Sequence, residues 1–454
     1  MKINQVLNPI MVAIIISMPT HASDLINGES RLTEEIQKIV DRVKEEERFR
    51  YSGYFRSGYA TAVNGSPEDY FVSSVGRFGN ENTGWFDLKL HYDVYRDGDR
   101  KVTSNVTLDG NVSSNYTSGW FTDPSADGSY LQFSDMYVAA TGFIPALPGS
   151  TLWVGKHKLP NYEIQMFDFK HHRSSNAGAV ALMDVAAGPG LLDISLARED
   201  MKQSDGRSRL NTNLIDMRYK DIEIADDTRL SFLLKYQMPD ITDAQKEEYG
   251  YKPKDAMTAG VVLRNDMSKG GFNELTLQMG TNSYASKMTA FTNADPDYRD
   301  LQGEETGETY RIVNQGESYF GADYIMAHSF VAGVARGIYE NVGKNNYKNS
   351  DTDFLRAAVR PAYIWNQFNQ TGVELGYFVQ KSQAENEADY RKESGYKVTA
   401  YHALKVNTSM LRSRPEIRFY STYMEATDND ITGYVFHDQG SDQLSFGVQA
   451  EVWW

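Results

Sequence analysis

The sequence predicts an all-β fold: a transmembrane antiparallel β-barrel preceded by a short N-terminal periplasmic helix. The strongest evidence is residues 444–454, where apolar and polar side chains alternate strictly and two tryptophans follow in the last positions. In a membrane barrel the apolar parity faces lipid, the polar parity faces a wet lumen, and aromatic residues mark the interface. Strands of soluble sandwiches also alternate, but such domains seldom end on two exposed tryptophans.

The same alternation recurs from residue 49 onward, without a linker or a second domain. Alternating segments include 49–59, 85–95, 215–219, 230–236, 275–279, 373–377 and 417–420. A strand with its share of turn and loop takes about 20–25 residues, so the barrel region of residues 49–454 has room for about 16–20 strands. A barrel of that size encloses an aqueous channel.

The first 22 residues have the features of a secretory signal peptide. Lys2 precedes an apolar run over residues 9–18, and Thr20-His-Ala22 resembles a cleavage site. The apolar run is far shorter than the roughly 20 residues of a spanning helix. We therefore expect export and insertion into the lipid of the bacterial outer membrane.

Residues 23–48 are predicted to contain a spacer and a helix. Leu32, Ile36, Ile39 and Val43 follow a 4-3-4 spacing, which forms an apolar seam of about two heptads. Such a seam needs a partner, and neighbouring copies could supply it in a periplasmic coiled coil. The alternative is an amphipathic helix without a partner, because so short a helix is marginal in water.

Composition excludes several classes of protein. The chain has no Cys, which argues against a disulfide-stapled extracellular module. Its net charge of -15 argues against nucleic acid as a partner. We find no metal-ligand pattern and no cofactor motif. His171-His172 lie near Asp168, but adjacent residues of an extended chain point in opposite directions, so we predict no enzyme site.

Three aromatic residues fall on the polar, lumen parity of their strands: Tyr54, Trp85 and Trp453. Arg56 and Asp87 lie two residues from Tyr54 and Trp85, hence on the same face. An apolar ring that faces a water-filled pore suggests a ligand that stacks on it. A pyranose ring offers C–H groups for this stacking, and its hydroxyls form hydrogen bonds with charged side chains. Alternatively, the rings fill gaps under loops that fold inward.

Several segments resemble the maltoporin family of sugar-specific outer-membrane porins. They are residues 52–58 (SGYFRSG), 76–81 (GRFGNE), 147–156 (LPGSTLWVGK), 413–418 (SRPEIR) and 446–454 (FGVQAEVWW). The resemblance runs from about residue 49 to the end of the chain. It implies eighteen antiparallel strands, a homotrimer, and a third loop that folds inward to form the constriction.

The resemblance also assigns roles to residues. It implies an aromatic slide for sugars at Tyr54, Trp85, Trp120, Trp365 and Trp453, with polar partners at Arg56, Arg77 and Asp87. Trp120 is expected on a loop that reaches into a neighbouring subunit's pore. A sixth slide position falls near Met257-Thr258, where the sequence has no aromatic residue.

The constriction loop departs from the maltoporin pattern. Glu163 and Asp168 align with its acidic positions, Glu163 as a conservative change, whereas Asn161 replaces an Arg and Lys170 replaces a bulky Tyr. Ser134 replaces another Arg in a looser alignment. The Asn resembles the branch of sucrose porins, whose members also carry an N-terminal helical extension. We therefore expect facilitated diffusion of di- and oligosaccharides such as sucrose or raffinose. The alternative is a non-specific diffusion porin.

Lys170 itself allows three arrangements. If it pairs with Asp168 or Glu163, the surplus of carboxylates leaves the channel cation-selective; if it is free, the constriction favours anions. In a third arrangement Lys170 points behind the loop and ties it to the barrel wall.

Overall fold

The computed structural model describes residues 48–112, 130–175, 177–202, 209–248, 250–268, 270–291, 306–341 and 347–454. The predicted signal peptide, the predicted seam of Leu32, Ile36, Ile39 and Val43, and Trp120 lie outside these residues. Tyr51–Trp454 form one compact unit. No helix among the described residues is long and apolar enough to cross a membrane.

The described residues form twenty strands and three short α-helices. The strands are β1 (Phe49–Ala62), β2 (Gly84–Asp97), β3 (Arg100–Val112), β4 (Tyr130–Thr141), β5 (Thr151–His157), β6 (Tyr162–Ile164), β7 (Phe169–His172), β8 (Ala177–Ala187), β9 (Gly190–Lys202), β10 (Arg209–Ala225), β11 (Thr228–Asp240), β12 (Ala256–Asp266), β13 (Gly271–Thr281), β14 (Glu308–Phe320), β15 (Tyr324–Asn341), β16 (Tyr347–Asn366), β17 (Asn369–Ala384), β18 (Arg391–Lys405), β19 (Glu416–Asn429) and β20 (Asp442–Trp453). The helices are α1 (Val72–Val75), α2 (Asp243–Glu247) and α3 (Ser283–Lys287), and Gln165–Phe167 form a 3-10 turn.

Eighteen of the strands form one closed antiparallel sheet, which confirms the predicted barrel and its strand number. Each strand of the sheet pairs with the next along the chain, except that β5 pairs directly with β8. The last strand, β20, pairs with β1 and closes the barrel, so that Tyr54 lies opposite Trp453. The remaining two strands, β6 and β7, form a separate hairpin.

Side-chain burial follows the alternation expected of a barrel with a polar interior. On β1, Arg56 is 8% exposed whereas Tyr59 is 67% exposed. On β20, Ser445, Gln449 and Glu451 are buried, whereas Phe446 between them is exposed. The buried polar parity faces the lumen and the exposed apolar parity faces outward. This arrangement matches a barrel surrounded by lipid.

Tight turns join many of the strands at one end of the barrel. The link between β2 and β3 is Gly98-Asp99, and Gly98 has a φ of 53°. Residues with a side chain rarely adopt this left-handed backbone conformation, so glycine suits the position. Other short links are residues 188–189, 226–227 and 367–368.

Segments between strands fill one side of the barrel interior. The first loop, residues 63–83, carries α1 against β17, where a Cβ on Gly376 would lie 1.8 Å from the carbonyl oxygen of Val75. Only glycine permits this approach, which positions Arg77 just beyond α1. The β18–β19 turn, residues 406–415, is held by Glu317, whose carboxylate accepts bonds from the backbone N–H groups of Met410 (2.9 Å) and Leu411 (3.1 Å).

Candidate permeation site in the barrel lumen

The inward loop, residues 158–175 between β5 and β8, contains the β6–β7 hairpin and lies inside the barrel. Its apolar residues Ile164, Met166, Phe167 and Phe169 are buried. The Arg311 side chain, on β14, donates to the carbonyl oxygen of His171 (2.8 Å). The predicted inward fold of the third loop is thus present in the structure.

Several lumen side chains hold the backbone of this loop. Gln315 donates to the carbonyl of Glu163 (2.6 Å), Gln278 to that of His171 (3.0 Å) and Lys235 to that of Arg173 (3.0 Å). Arg218 donates to the carbonyl of Pro160. Because these donors come from β10, β11, β13 and β14, the loop is fixed against this wall of the barrel.

The four predicted constriction residues all lie on the inward loop. Lys170 pairs with Glu163 across the hairpin in the strand register. The Lys170 ammonium lies 2.7 Å from Asp168 Oδ1 and 4.0 Å from Glu163 Oε2. Asn161 stands before β6, and its side-chain oxygen is buried without a hydrogen-bond partner among the described residues. Lys170 therefore forms its ion pairs within the loop.

The two carboxylates of the loop differ in acidity. Burial in the lumen raises the pKa of Glu163, against the attraction of the Lys170 ammonium. Burial acts on Asp168 too, but Lys170 and the Arg77 guanidinium hold the pKa of this carboxyl below its ordinary value. The charge of Lys170 is thus matched mainly by Asp168, and Glu163 takes up a proton first as the pH falls.

Facing the loop, β1, β20 and the first loop bring together Tyr54, Arg56 and Arg77. The Tyr54 hydroxyl donates to Glu451 (2.9 Å) and accepts from Arg77 (3.1 Å). Arg77 also pairs with Glu451 (2.5 Å) and with Glu81 (2.9 Å), which in turn pairs with Arg56 (2.7 Å). The structure therefore joins three of the predicted residues in one hydrogen-bonded network.

Trp453, opposite Tyr54 in the strand register, extends this network. The guanidinium carbon of Arg414 lies 4.6 Å from the Trp453 ring centroid, a cation–π geometry. Arg414 also pairs with Glu451 (2.7 Å), as does Arg418 (3.1 Å). Glu451, 1% exposed, is thus shared by three arginines. A buried carboxylate remains charged when several donors satisfy it in this way.

The predicted pair of Trp85 and Asp87 lies on the lumen face of β2. The Trp85 indole N–H donates to Asp87 Oδ1 (2.7 Å), and Trp85 is only half-buried. Gly53 of β1 lies against the backbone of Asp87, since a Cβ there would meet its carbonyl oxygen at 2.8 Å. Trp85 and Asp87 therefore border the β1 side of the lumen.

Trp365 departs from the predicted lumen position. It is 62% exposed and shares its parity on β16 with the exposed Val359, whereas Arg356 and Arg360 of the other parity are buried. Its indole N–H donates to Thr371 (2.8 Å) and its ring contacts Tyr363 edge-on at 4.7 Å. Trp365 thus belongs to the outer aromatic surface of the barrel in this structure.

Sequence reasoning did not single out several charged and aromatic residues of the lumen. Glu81 follows Arg77 by four residues, a spacing that could have drawn attention to it, and Glu451 lies on the recognised polar parity of β20. A second aromatic group lies on β4 and β5, where the Tyr137 ring stacks on His157 at 3.8 Å and Trp153 is buried beside them. Within the described part of the chain, no group of three or more His, Asp or Glu residues is arranged to hold a metal ion.

A closed eighteen-stranded barrel with a charged lumen and an inward loop defines the class of outer-membrane porins. The family model described as LamB porin matches residues 49–454, which is nearly the whole described chain. The chain therefore belongs to the LamB porin family, and the predicted maltoporin-like resemblance is confirmed. The family and the barrel indicate a channel and not an enzyme.

Solved porin structures are also similar, at low identity. They include OccAB1 of Acinetobacter baumannii (11% identity, 89% of this chain and 96% of that chain covered, TM-score 0.48). Others are OccD3 (OpdP) of Pseudomonas aeruginosa (12% identity, 89% and 91% covered, TM-score 0.47) and OmpF of Salmonella typhi in complex with daunomycin (10% identity, 89% and 97% covered, TM-score 0.44).

Proposed function

We propose that this porin is specific for sugars and allows facilitated diffusion of di- and oligosaccharides across the outer membrane. The observation that carries the proposal is the junction of Tyr54, Arg77 and Glu451, with Trp453 next to it. Here aromatic rings and ionised groups that are already hydrogen-bonded to one another occupy the same stretch of lumen wall. A pyranose needs both, since its C–H face stacks on a ring while its hydroxyls bond to charges.

Preorganisation strengthens this argument. Arg56 and Arg77 are held by Glu81 and Glu451, so these long side chains need little reordering when a sugar binds. A sugar passing along the wall therefore exchanges water for fixed donors at little entropic cost. Wall charges in a non-specific porin do not require aromatic rings beside them.

The proposed preference is for sucrose- or raffinose-type sugars over linear malto-oligosaccharides. Asn161 is smaller than Arg, and Lys170 is drawn onto Asp168 and does not present a rigid aromatic wall. Both changes favour a constriction that admits a bent sugar. The functional unit in this proposal is a homotrimer, with Trp120 contributed to a neighbouring pore, a cleaved segment 1–22, and residues 23–48 as a periplasmic coiled coil.

The test is the block of ion current through the channel in a planar bilayer by sucrose, raffinose and maltose. We expect saturable block, strongest for the non-linear sugars. Trp85→Ala should weaken it about two- to twelvefold, if a sugar stacks on Trp85 with the roughly 0.5–1.5 kcal/mol of an aromatic pair. Open-channel conductance should change little.

Trp365→Ala is the matched control, because it removes the same side chain from the outer surface and should leave block unchanged. Absence of saturable block by every sugar in the unmutated channel would show that the protein is a non-specific diffusion porin.

A further inference from the structure

The lumen faces of β2, β3 and β4 carry three aspartates in neighbouring positions. Asp87 lies directly opposite Asp109 in the strand register. Asp135 lies opposite Thr107, two residues along β3 from Asp109. Residues directly opposite in an antiparallel pair have Cβ atoms about 4.5–5.5 Å apart, so Asp87 and Asp109 are adjacent like charges.

The three carboxylates differ in their hydrogen-bond partners. Asp87 accepts from the Trp85 indole (2.7 Å), and Asp135 bonds to the ring of His157 (2.8 Å). Asp109 is 8% exposed, and its Oδ1 is buried without a hydrogen-bond partner among the described residues. A buried carboxylate oxygen without a donor is unfavourable, so this atom points to a ligand that supplies one.

Another buried carboxylate of the same wall, that of Asp93, does have hydrogen-bond donors for its oxygens. Asp93 of β2 is fully buried and accepts from Thr103 (2.8 Å) and from Arg96 (2.6 Å). The cation nearest to Asp109 on the lumen face of β2 is Lys89. Lys89 lies opposite Thr107 in the strand register, and it is exposed. The Lys89 ammonium acts on Asp87 and the Lys158 ammonium acts on Asp135, so three carboxylates face two ammonium groups and can attract a further positive charge.

Trp85 provides the other half of a binding site. It lies on the same face of β2 as Asp87 and opposite Asn111, next to Asp109 on β3. A half-buried indole ring therefore borders the pair of carboxylates. A ligand that combines a ring with C–H groups and a compact cation fits both features.

We propose that this face binds the protonated amine of an amino sugar, with the pyranose on Trp85 and the ammonium between Asp87 and Asp109. The inference rests on the proposed function and names a substrate class for the same lumen. An ammonium has three N–H donors and a positive charge, whereas a hydroxyl offers one donor and no charge. Hydrogen bonds from an ionised donor to a carboxylate are the stronger ones.

The experiment compares three disaccharides of the same β-1,4 linkage as blockers of ion current at pH 6. They are the glucosamine disaccharide, in which the amines are protonated, its N-acetylated form, and cellobiose. In the unmutated channel the glucosamine disaccharide should block at a concentration on the order of tenfold lower than the other two, as a charge-assisted hydrogen bond gives. Asp109→Asn should remove most of this preference while the block by cellobiose changes less than twofold.

Asp93→Asn is the matched control, since it removes one carboxylate from the same wall where the partners are already in place. It should keep the preference for the amine. A preference that persists in Asp109→Asn and in Asp87→Asn, or that Asp93→Asn lowers equally, would show a general effect of negative potential and overturn the proposal.

Equal block by all three sugars in the unmutated channel would overturn the amine site and leave the sugar porin intact. Absence of block by all three would also overturn the amine site, and the block by sucrose and raffinose then decides separately whether the channel is a sugar porin. Open-channel conductance of each variant shows whether it has folded and inserted.

Discussion

Replacing Lys170 by Met should make the channel more selective for cations. The Lys170 ammonium lies 2.7 Å from Asp168 and 4.0 Å from Glu163, so it offsets one of two carboxylates at the constriction. Met keeps most of the length of the side chain but lacks its charge. The variant therefore adds one uncompensated negative charge to the inward loop.

The size of the change in selectivity follows from how far the Asp168 carboxylate is exposed to solvent. The Asp168 side chain is 37% exposed, so a water-like dielectric is appropriate, and a cation passing at ~4 Å gains about 1 kcal/mol. Salt at 0.1 M reduces this by roughly a third, since the Debye length is about 10 Å. The remaining ~0.7 kcal/mol corresponds to about a threefold rise in the ratio of cation to anion permeability.

The assay is the reversal potential across a planar bilayer under a gradient of KCl at pH 7. Lys392→Met is the matched control, because Lys392 forms a pair of the same length with Asp428 (2.7 Å) at one end of β18, away from the inward loop. The control should leave the reversal potential unchanged. If Lys170→Met also leaves it unchanged, Lys170 does not act on permeating ions.

Three further predictions concern the segments that fill the lumen. Lys170→Tyr should lower single-channel conductance and slow raffinose more than maltose, because a rigid ring replaces a flexible chain; equal conductance would place residue 170 away from the constriction. Burial holds the pKa of His171 well below its ordinary value of 6.5, so the anchored loop keeps this ring neutral while a detached loop would take up a proton. Anchoring should therefore weaken as the pH falls below about 6.5, seen as more current noise at pH 5 than at pH 7, and less so in His171→Phe. Glu317→Gln should loosen the β18–β19 turn and speed its proteolysis, because a neutral amide replaces the carboxylate that accepts from Met410 and Leu411; the same rate as the unmutated protein would refute this role.

Strand parity explains why much of the barrel could be predicted from sequence. A side chain on a strand faces either lipid or lumen, and the two environments select opposite chemistries. The parities assigned to Tyr54, Arg56 and Glu451 agree with their burial in the structure. The inward loop and the count of eighteen strands came from the family resemblance, since no periodicity specifies either.

Trp365 shows where parity fails. Around it, β16 places Ala357-Ala358 and Pro361-Ala362 side by side, so that small residues lie on both faces and the alternation is weak. The pairing with β17 is also irregular between Ile364 and Asn366. Only the family resemblance placed Trp365 in the lumen. In the structure its ring lies on the outer surface of the barrel.

The partners of the lumen charges were beyond sequence reasoning for a different reason. Glu451 pairs with Arg77 of the first loop, which lies 374 positions away in the sequence. It also pairs with Arg414 of the β18–β19 turn, which lies 37 positions away. Parity states which face a residue occupies, but it does not state which loop crosses the lumen to reach it. Such contacts depend on the closed barrel as a whole.

The lumen therefore contains two kinds of charge with different roles. Arg56 and Arg77 are fixed by carboxylates and offer donors in set directions, which suits recognition of hydroxyls along a wall. Lys170 stands on a flexible stem between two acids, and Asp109 has an oxygen that no described donor reaches. In the proposed function the fixed arginines select a sugar by shape, whereas the incompletely compensated carboxylates act on any permeant by its charge. A neutral sugar and a protonated amino sugar should accordingly differ most where Asp87 and Asp109 lie opposite each other on β2 and β3.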